Sequence, residues 1–380
     1  MKNYLYFMLS SKIFQITIAL LIAMVLISTF FNHNIKFEDL ALGGQTKVYL
    51  ARKDTQLIHF DNFSDFYKIE KSWNYFGGKN IILCLGNSQT HSINQMKSKE
   101  VTYVQMLSDT IKDKEVIAFT LPNISLQEML LSFEYIRSKM PIKELVLPIF
   151  MDDLREDDIR ADFFFGRLLS EKYKLQLESG AIASKINNAL NKNSNSDNPN
   201  SDADLAGLNN TPQAKVETYF NTRLNSYSLV WRSRPEIRGW FFNYLYELRN
   251  TLFGINAQTK RAMIPQTYNN NVSAFKSILE ISKKNNINVV AYIPPIRHDV
   301  EIPYDANEYE NLKKQISNMC SEYENVKYLN LEYIVPSQYW GVKDGTNLSK
   351  KPELDFMHFQ YEGHKILFRN LYPSIQKMNN

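Results

Sequence analysis

Cysteine is almost missing from this sequence: Cys84 and Cys320 are the only two in 380 residues. So few thiols exclude a scaffold built on disulfides. Cys84 lies inside an apolar run and reads as a small buried hydrophobe, which makes thiol chemistry there a poor reading. A bridge to Cys320 stays open on sequence grounds. No group of Cys and His has the spacing of zinc ligands, and no glycine-rich loop is present to cradle a phosphate. No metal and no cofactor are expected. Charge of one sign is also scarce. The formal net charge is +4 and dispersed, which gives no basic footprint for nucleic acid. No internal repeat is evident, so a solenoid is excluded.

What the chain does have is enough apolar material for one full-size core, at 44% hydrophobic residues, with an ordinary 22% charged. Aromatics reach 13%, which suits a protein working near a membrane or on carbohydrate. Residues 13–31, from Ile13 to Phe31, are uncharged and mostly apolar. As a helix they would be about 28 Å long, close to the thickness of a bilayer's hydrocarbon core. Lys2 and Lys12 precede the run, so the positive-inside rule puts 1–12 in the cytoplasm and the bulk of the chain outside. No small-residue cleavage site follows, so an uncleaved single-pass anchor is expected rather than a signal peptide.

Residues 32–78 read as a neck and the start of a domain, with a short strand at 47–50. From 79 onward, short apolar runs alternate with helical stretches. Strands are expected at 81–85, 116–119, 145–150, 289–293 and 326–331, and helices at 92–99, 102–112, 126–139, 274–284 and 309–322. That alternation predicts an α/β fold of three layers, α/β/α, around a mostly parallel sheet. In such sheets a site lies beyond the carboxyl ends of the strands, where Ser88, Asn123, Asp152 and Pro294 should gather. The domain is expected to comprise 79–155 and 272–380. Between them, 156–271 reads as a helical insertion whose Asn/Ser-rich tip, 187–215, cannot bury enough apolar surface to stay ordered. Its segment 216–251 is rich in Arg and aromatics. Either it packs its apolar face on the insertion's own core, or it forms a lid or a membrane-surface element.

Two short motifs carry chemistry. Leu85-Gly-Asn-Ser88 ends the first long strand, and Asp355-Phe-Met-His358 lies near the other end of the chain, followed by Gly363. Serine needs a base to become a nucleophile, and histidine with an orienting acid supplies one. These motifs resemble the Gly-Asp-Ser and Asp-x-x-His blocks of the SGNH (GDSL-like) hydrolases, a flavodoxin-like fold class. The resemblance covers 79–155 and 285–372. It implies Ser88 as nucleophile, His358 as general base and Asp355 as the residue orienting it. It implies Asn123 in place of the glycine that gives a backbone N–H to the oxyanion hole. Asp152 stands where the family has the oxyanion asparagine. An ionised carboxylate there would repel a developing oxyanion, so Asp152 must be protonated, turn away, or serve other chemistry. Asn87 replaces the family's aspartate and can still order the turn.

His91, Arg297, His298 and Arg155 are further candidates for substrate contact. Their plainer readings are a helix-start polar contact, an exposed loop and a salt bridge. Membrane-anchored members of the family are associated with O-acyl groups on envelope polysaccharides, sometimes beside a multi-spanning acyl-donor partner. By resemblance, the expectation is a membrane esterase or O-acyltransferase acting on a cell-surface glycan outside the cytoplasm. A subunit that kept the fold but binds glycan without catalysis is the alternative.

Overall fold

A computed structural model describes residues 44–62, 66–155 and 234–377, together with isolated positions 16, 18, 19, 22, 23, 159, 223 and 224. In chain order the elements are β1 (Thr46–Val48), β2 (Arg52–Lys53), β3 (Gln56–Leu57), β4 (His59–Phe60) and α1 (Phe66–Tyr75). Then come β5 (Ile81–Gly86), α2 (Ser88–His91), β6 (Ser92–Asn94), α3 (Tyr103–Thr110), β7 (Glu115–Thr120), α4 (Leu126–Lys139) and β8 (Ile142–Pro148). A 3-10 turn (Asp152–Leu154) and α5 (Arg234–Leu252) follow. The chain closes with α6 (Pro265–Lys284), β9 (Asn288–Ile293), α7 (Ala306–Ser321), β10 (Val326–Asn330), β11 (Trp340–Lys343), β12 (Glu353–Phe359) and α8 (Tyr361–Lys377).

Two compact units divide the chain. One comprises Met1–Ala41, Leu208–Ile255 and Thr346–Ser349; the other comprises Leu42–Gly207, Asn256–Gly345 and Lys350–Asn380. The second unit therefore resumes at Asn256, earlier than the expected 272, because α6 begins at Pro265 and buries Phe275, Ile278 and Leu279 in its core. The unit also starts within the expected neck, at Leu42. The expected anchor at 13–31 lies outside the described residues apart from Ile16, Ile18, Ala19, Ile22 and Ala23, which are helical. Among the described residues no helix is long and apolar enough to cross a membrane. The expected loop tip at 187–215 lies outside them altogether.

The second unit is built on a six-stranded sheet of order β10-β9-β8-β5-β7-β4, parallel at every pairing. Its inner strands β5, β7 and β9 read as mostly apolar runs because both faces are covered. Alternate residues go to opposite cores. Ile81, Leu83 and Leu85 of β5, with Ile117 and Phe119 of β7, join the core under α4, α6 and α7. Ile82 and Cys84 of β5, with Val116 and Ala118 of β7, join the core under α3 and α8. This is the three-layer arrangement read from the sequence, in a mostly parallel, flavodoxin-like strand order. The order reverses at β5 and β8, so a crevice opens beyond their carboxyl ends. Capping fixes where α4 starts: Ser125 accepts from the Glu128 N–H, and the Glu128 carboxylate accepts from the Ser125 N–H.

Two local readings are corrected. A helix at 92–99 does not form. Instead Ser92 turns extended, and Ser92–Asn94 pairs antiparallel with Thr46–Val48, burying Ile93 completely. Cys84 and Cys320 are both free and buried, so the open question of a bridge closes.

Candidate active site

Four features of the β5 end put Ser88 where it is. Gly86 closes the strand because a Cβ there would sit 2.3 Å from the Thr90 hydroxyl and 3.2 Å from the Pro148 ring. Asn87 is extended, and its side-chain oxygen caps the next turn by accepting from the Gln89 N–H at 3.0 Å. Its amide nitrogen donates to the Asp153 carboxylate at 3.0 and 3.4 Å. The Gln89 amide donates to the carbonyls of Pro295 and Met357, tying this turn to the far motif. The helix that follows, α2, is a single turn of four residues, too short to build an appreciable dipole at Ser88.

The second motif lies on β12, held antiparallel to β11. His358 Nε2 is 2.9 Å from Ser88 Oγ, and His358 Nδ1 is 3.0 Å from Asp355 Oδ2. The other Asp355 oxygen accepts from the backbone N–H groups of Met357 and His358, each at 2.9 Å. Burial alone would raise the Asp355 pKa. The neighbouring His358, its hydrogen bond and the two backbone donors outweigh that and bring it down to about 2. A carboxylate that stays ionised accepts only. Nδ1 must then carry the imidazole proton, which leaves Nε2 as the acceptor facing the serine hydroxyl. Ser88 is buried, retaining 8% exposure.

Sequence reasoning missed Asn94. Its amide nitrogen donates to Asp355 Oδ2 at 3.3 Å, the Val342 carbonyl at 2.9 Å and Thr46 Oγ1 at 3.0 Å. Gly341 makes room for it: a Cβ at that glycine would lie 1.7 Å from Asn94 Oδ1. No local signal marks Asn94, since its partner is 261 residues away.

The remaining candidates divide. Asn123 takes φ +51°, the left-handed backbone expected of a residue standing in for glycine. Asp152 is tied to other side chains. Its carboxylate meets Arg261 at 2.6 Å, the Tyr304 hydroxyl at 3.0 Å and Arg155 at 3.5 Å. The acid beside the serine turn is Asp153, one residue on. Arg155 also donates to the Ala262 carbonyl, so it is a structural tie rather than a free cation. Arg297 is buried and holds Asp299 and the Gly341 carbonyl. His298 is exposed and stands edge-on to the Tyr333 ring, 5.4 Å between centroids.

His91 is fully buried, as are His59 and His364. His91 Nδ1 and His59 Nε2 share the Thr120 hydroxyl at 2.6 and 2.8 Å. Burial, with the nearby imidazoles of His59 and His358, lowers the His91 pKa well below its ordinary value. It is a neutral core group, out of reach of a substrate. Burial, then Glu144, pushes the Cys84 thiol up to about 12, which disposes of a thiol nucleophile. Among the described residues no acidic, His or Cys cluster could hold a metal ion.

No protein-family model matches the sequence, and no curated protein matches it. Among solved structures, it is similar to a Bacteroides fragilis protein assigned as an acylhydrolase: 11% identity, TM-score 0.38, covering 84% of this chain and 100% of that one. It is also similar to a Streptococcus pneumonia protein assigned as a platelet activating factor: 10% identity, TM-score 0.35, covering 81% and 91%. At such scores the functional reading rests on this chain's own residues.

Proposed function

We propose that the second unit is a serine esterase or O-acyltransferase using Ser88, His358 and Asp355. The observation that carries the reading is the unbroken relay from Ser88 Oγ through His358 to Asp355, at 2.9 and 3.0 Å. In the first step His358 Nε2 takes the hydroxyl proton as Ser88 Oγ bonds to the acyl carbon. The C–O bond to the leaving alcohol then breaks, and the alcohol oxygen takes the proton from His358. Water or a sugar hydroxyl, deprotonated by the same nitrogen, attacks the acyl-serine and frees Ser88. Asp355 stays ionised and holds the imidazolium. Backbone N–H groups at Ser88 and Asn123 are the proposed oxyanion donors. No side-chain amide is assigned there, because the Asn87 amide is taken by Asp153 and Asp152 is paired with arginine.

The finer part of the proposal follows from the 13–31 run: a single-pass anchor, the second unit outside the cytoplasm, and acyl esters of a cell-surface glycan as substrate. A multi-spanning acyl donor is the fitting partner if transfer dominates. A reporter fused after Asn380 should behave as extracytoplasmic; cytoplasmic behaviour overturns that orientation.

One observation favours the alternative of a glycan-binding subunit without catalysis: the oxyanion asparagine's place is filled by a carboxylate locked to Arg261. A fluorophosphonate probe separates the two. Covalent labelling of the full chain, lost in Ser88→Ala, supports the enzyme. A folded chain that takes no label, or labelling that persists in Ser88→Ala, removes the serine mechanism and leaves the binding reading.

A further inference from the structure

Helix α5 is amphipathic with its polarity reversed. A surface helix normally turns apolar residues inward and polar ones to water. Here Asn243, Glu247 and Asn250, spaced i, i+4 and i+7, form the inward row; Glu247 is buried and Asn250 fully so. These polar groups are satisfied within their own unit. Asn243 donates to Glu247 at 2.8 Å, and the Asn250 amide donates to the Thr346 carbonyl at 2.7 Å. Thr251 accepts from the Leu348 N–H at 3.0 Å. The opposite side carries two neighbouring rows, each spaced i, i+4 and i+11. One is Phe241, Leu245 and Leu252; the other is Phe242, Tyr246 and Phe253. Phe241 is 50% exposed, Phe242 57%, Leu252 73% and Phe253 75%. An exposed apolar surface of this extent marks a contact face.

We propose that this face lies in the interfacial layer of the lipid bilayer. Three features favour lipid over a protein partner. First, the mixture is that of a membrane–water boundary: Phe and Leu for the acyl region, Tyr for the headgroup level, and arginine among them. By helical phase the exposed Arg249 lies between the two rows; its guanidinium is 4.7 Å over the Tyr246 ring and also donates to Asn250 Oδ1 at 2.9 and 3.3 Å. It can reach anionic headgroups while its stem stays apolar. The sequence adds Arg232 just before the helix and Arg234 and Arg238 in its first turns, a sign suited to acidic lipid. Second, no described helix can span a bilayer, so a lipid contact of α5 would be with the surface layer alone. Third, the unit that contains α5 also contains residues 1–41, and with them the 13–31 run long enough to span. The proposal rests on the anchoring put forward above and extends it to a second contact, one that would fix the unit's orientation on the membrane.

The test uses the full chain reconstituted into vesicles of phosphatidylethanolamine and phosphatidylglycerol, with a nitroxide spin label on Phe241→Cys, Phe242→Cys or Leu252→Cys. Cys84 and Cys320 are buried, so the new thiol is the one labelled under native conditions. Lys327→Cys, on an exposed position of β10, is the aqueous control. Lipid contact predicts labels accessible to oxygen and shielded from a water-soluble nickel chelate, with the opposite at 327. Labels open to the chelate mean that water covers the face and overturn the proposal. Labels shielded from both quenchers mean that a protein or a second copy covers it, and overturn it equally. Flotation reads the anchor separately. A chain that does not float with the vesicles overturns both readings, whereas a floating chain with wet labels overturns only the role of α5.

Discussion

Replacing Asn87 by aspartate, the residue the SGNH pattern would call for, should harm this protein in a pH-dependent way. The Asn87 amide nitrogen is 3.0 Å from one Asp153 oxygen and 3.4 Å from the other. In Asn87→Asp a carboxylate oxygen takes that place, while the oxygen capping the Gln89 N–H remains. Two unit charges about 3 Å apart repel by about 5 kcal/mol at an effective dielectric of about 20. Binding one proton between them costs less: about 1.4 kcal/mol for each pH unit above an ordinary aspartate value of about 3.9, or about 4 kcal/mol at pH 7. The pair therefore folds with a shared proton and an apparent pKa above its unfolded value. A group raised in this way stabilises the fold at low pH and loses that contribution as pH rises. The expected penalty is thus about 4 kcal/mol at pH 7 and under about 1 kcal/mol at pH 4.5. Urea midpoints of the variant and the parent chain, taken at both pH values in the same detergent, measure it. Asp153→Asn added to Asn87→Asp exchanges donor and acceptor and should abolish the pH-dependent part. A loss of equal size at both pH values, or none, would refute the reasoning.

Three further perturbations follow from the same geometry. Asp355 has its pKa lowered from 3.8 to about 2, which corresponds to roughly 2 kcal/mol of stability present above pH 4 and lost as pH falls toward 2. Asp355→Asn should remove that amount at pH 6 and flatten the acid limb of the unfolding curve; an unchanged limb sinks the assignment. Gly341→Ala drives a Cβ to within 1.7 Å of Asn94 Oδ1 and must displace the side chain that braces Asp355. It should cost about 2 kcal/mol and at least about tenfold in acetyl-ester turnover, with Asn94→Ala adding little on top. Asp152→Asn should not raise turnover, because its carboxylate neutralises Arg261 rather than opposing an oxyanion; a stability loss of about 1–3 kcal/mol is expected, and a faster enzyme would show that Asp152 faces the reaction after all.

The sheet was legible wherever its strands are buried on both faces. β5, β7 and β9 are short unbroken apolar runs, and two helical layers are the only setting in which such runs are stable here. β4 is two residues, His59–Phe60, and no periodicity can show in so few. β12 alternates acid, aromatic and histidine because one of its edges is the site itself, so it did not read as a strand. Ser92–Asn94 was misread for a different reason. Its residues suit a helix locally, and only a backbone partner about 46 positions upstream, at Thr46–Val48, makes the extended form better.

The site shows the same division more sharply. Ser88, Asp355 and His358 could be picked out because a nucleophile, base and orienter of the proposed kind draw on few residue types, and because the resemblance puts two of them three apart. Asp152 and Asp153 could not be told apart, since a one-residue rotation of a 3-10 turn decides which carboxylate faces Asn87 and which faces Arg261. Composition fixes that an acid is there; phase decides what it does. The same holds for α5. Its mixture of aromatics and arginine predicted an amphipathic helix. Which side turns inward follows instead from who satisfies the polar row. The Thr346 carbonyl and the Leu348 N–H, about a hundred residues away in sequence, offer Asn250 and Thr251 the hydrogen bonds that water would otherwise supply. Once those bonds form inside the unit, the apolar rows have nowhere to go but out. The outward apolar face of α5 is then the product of internal polar pairing, not of any excess of hydrophobic residues.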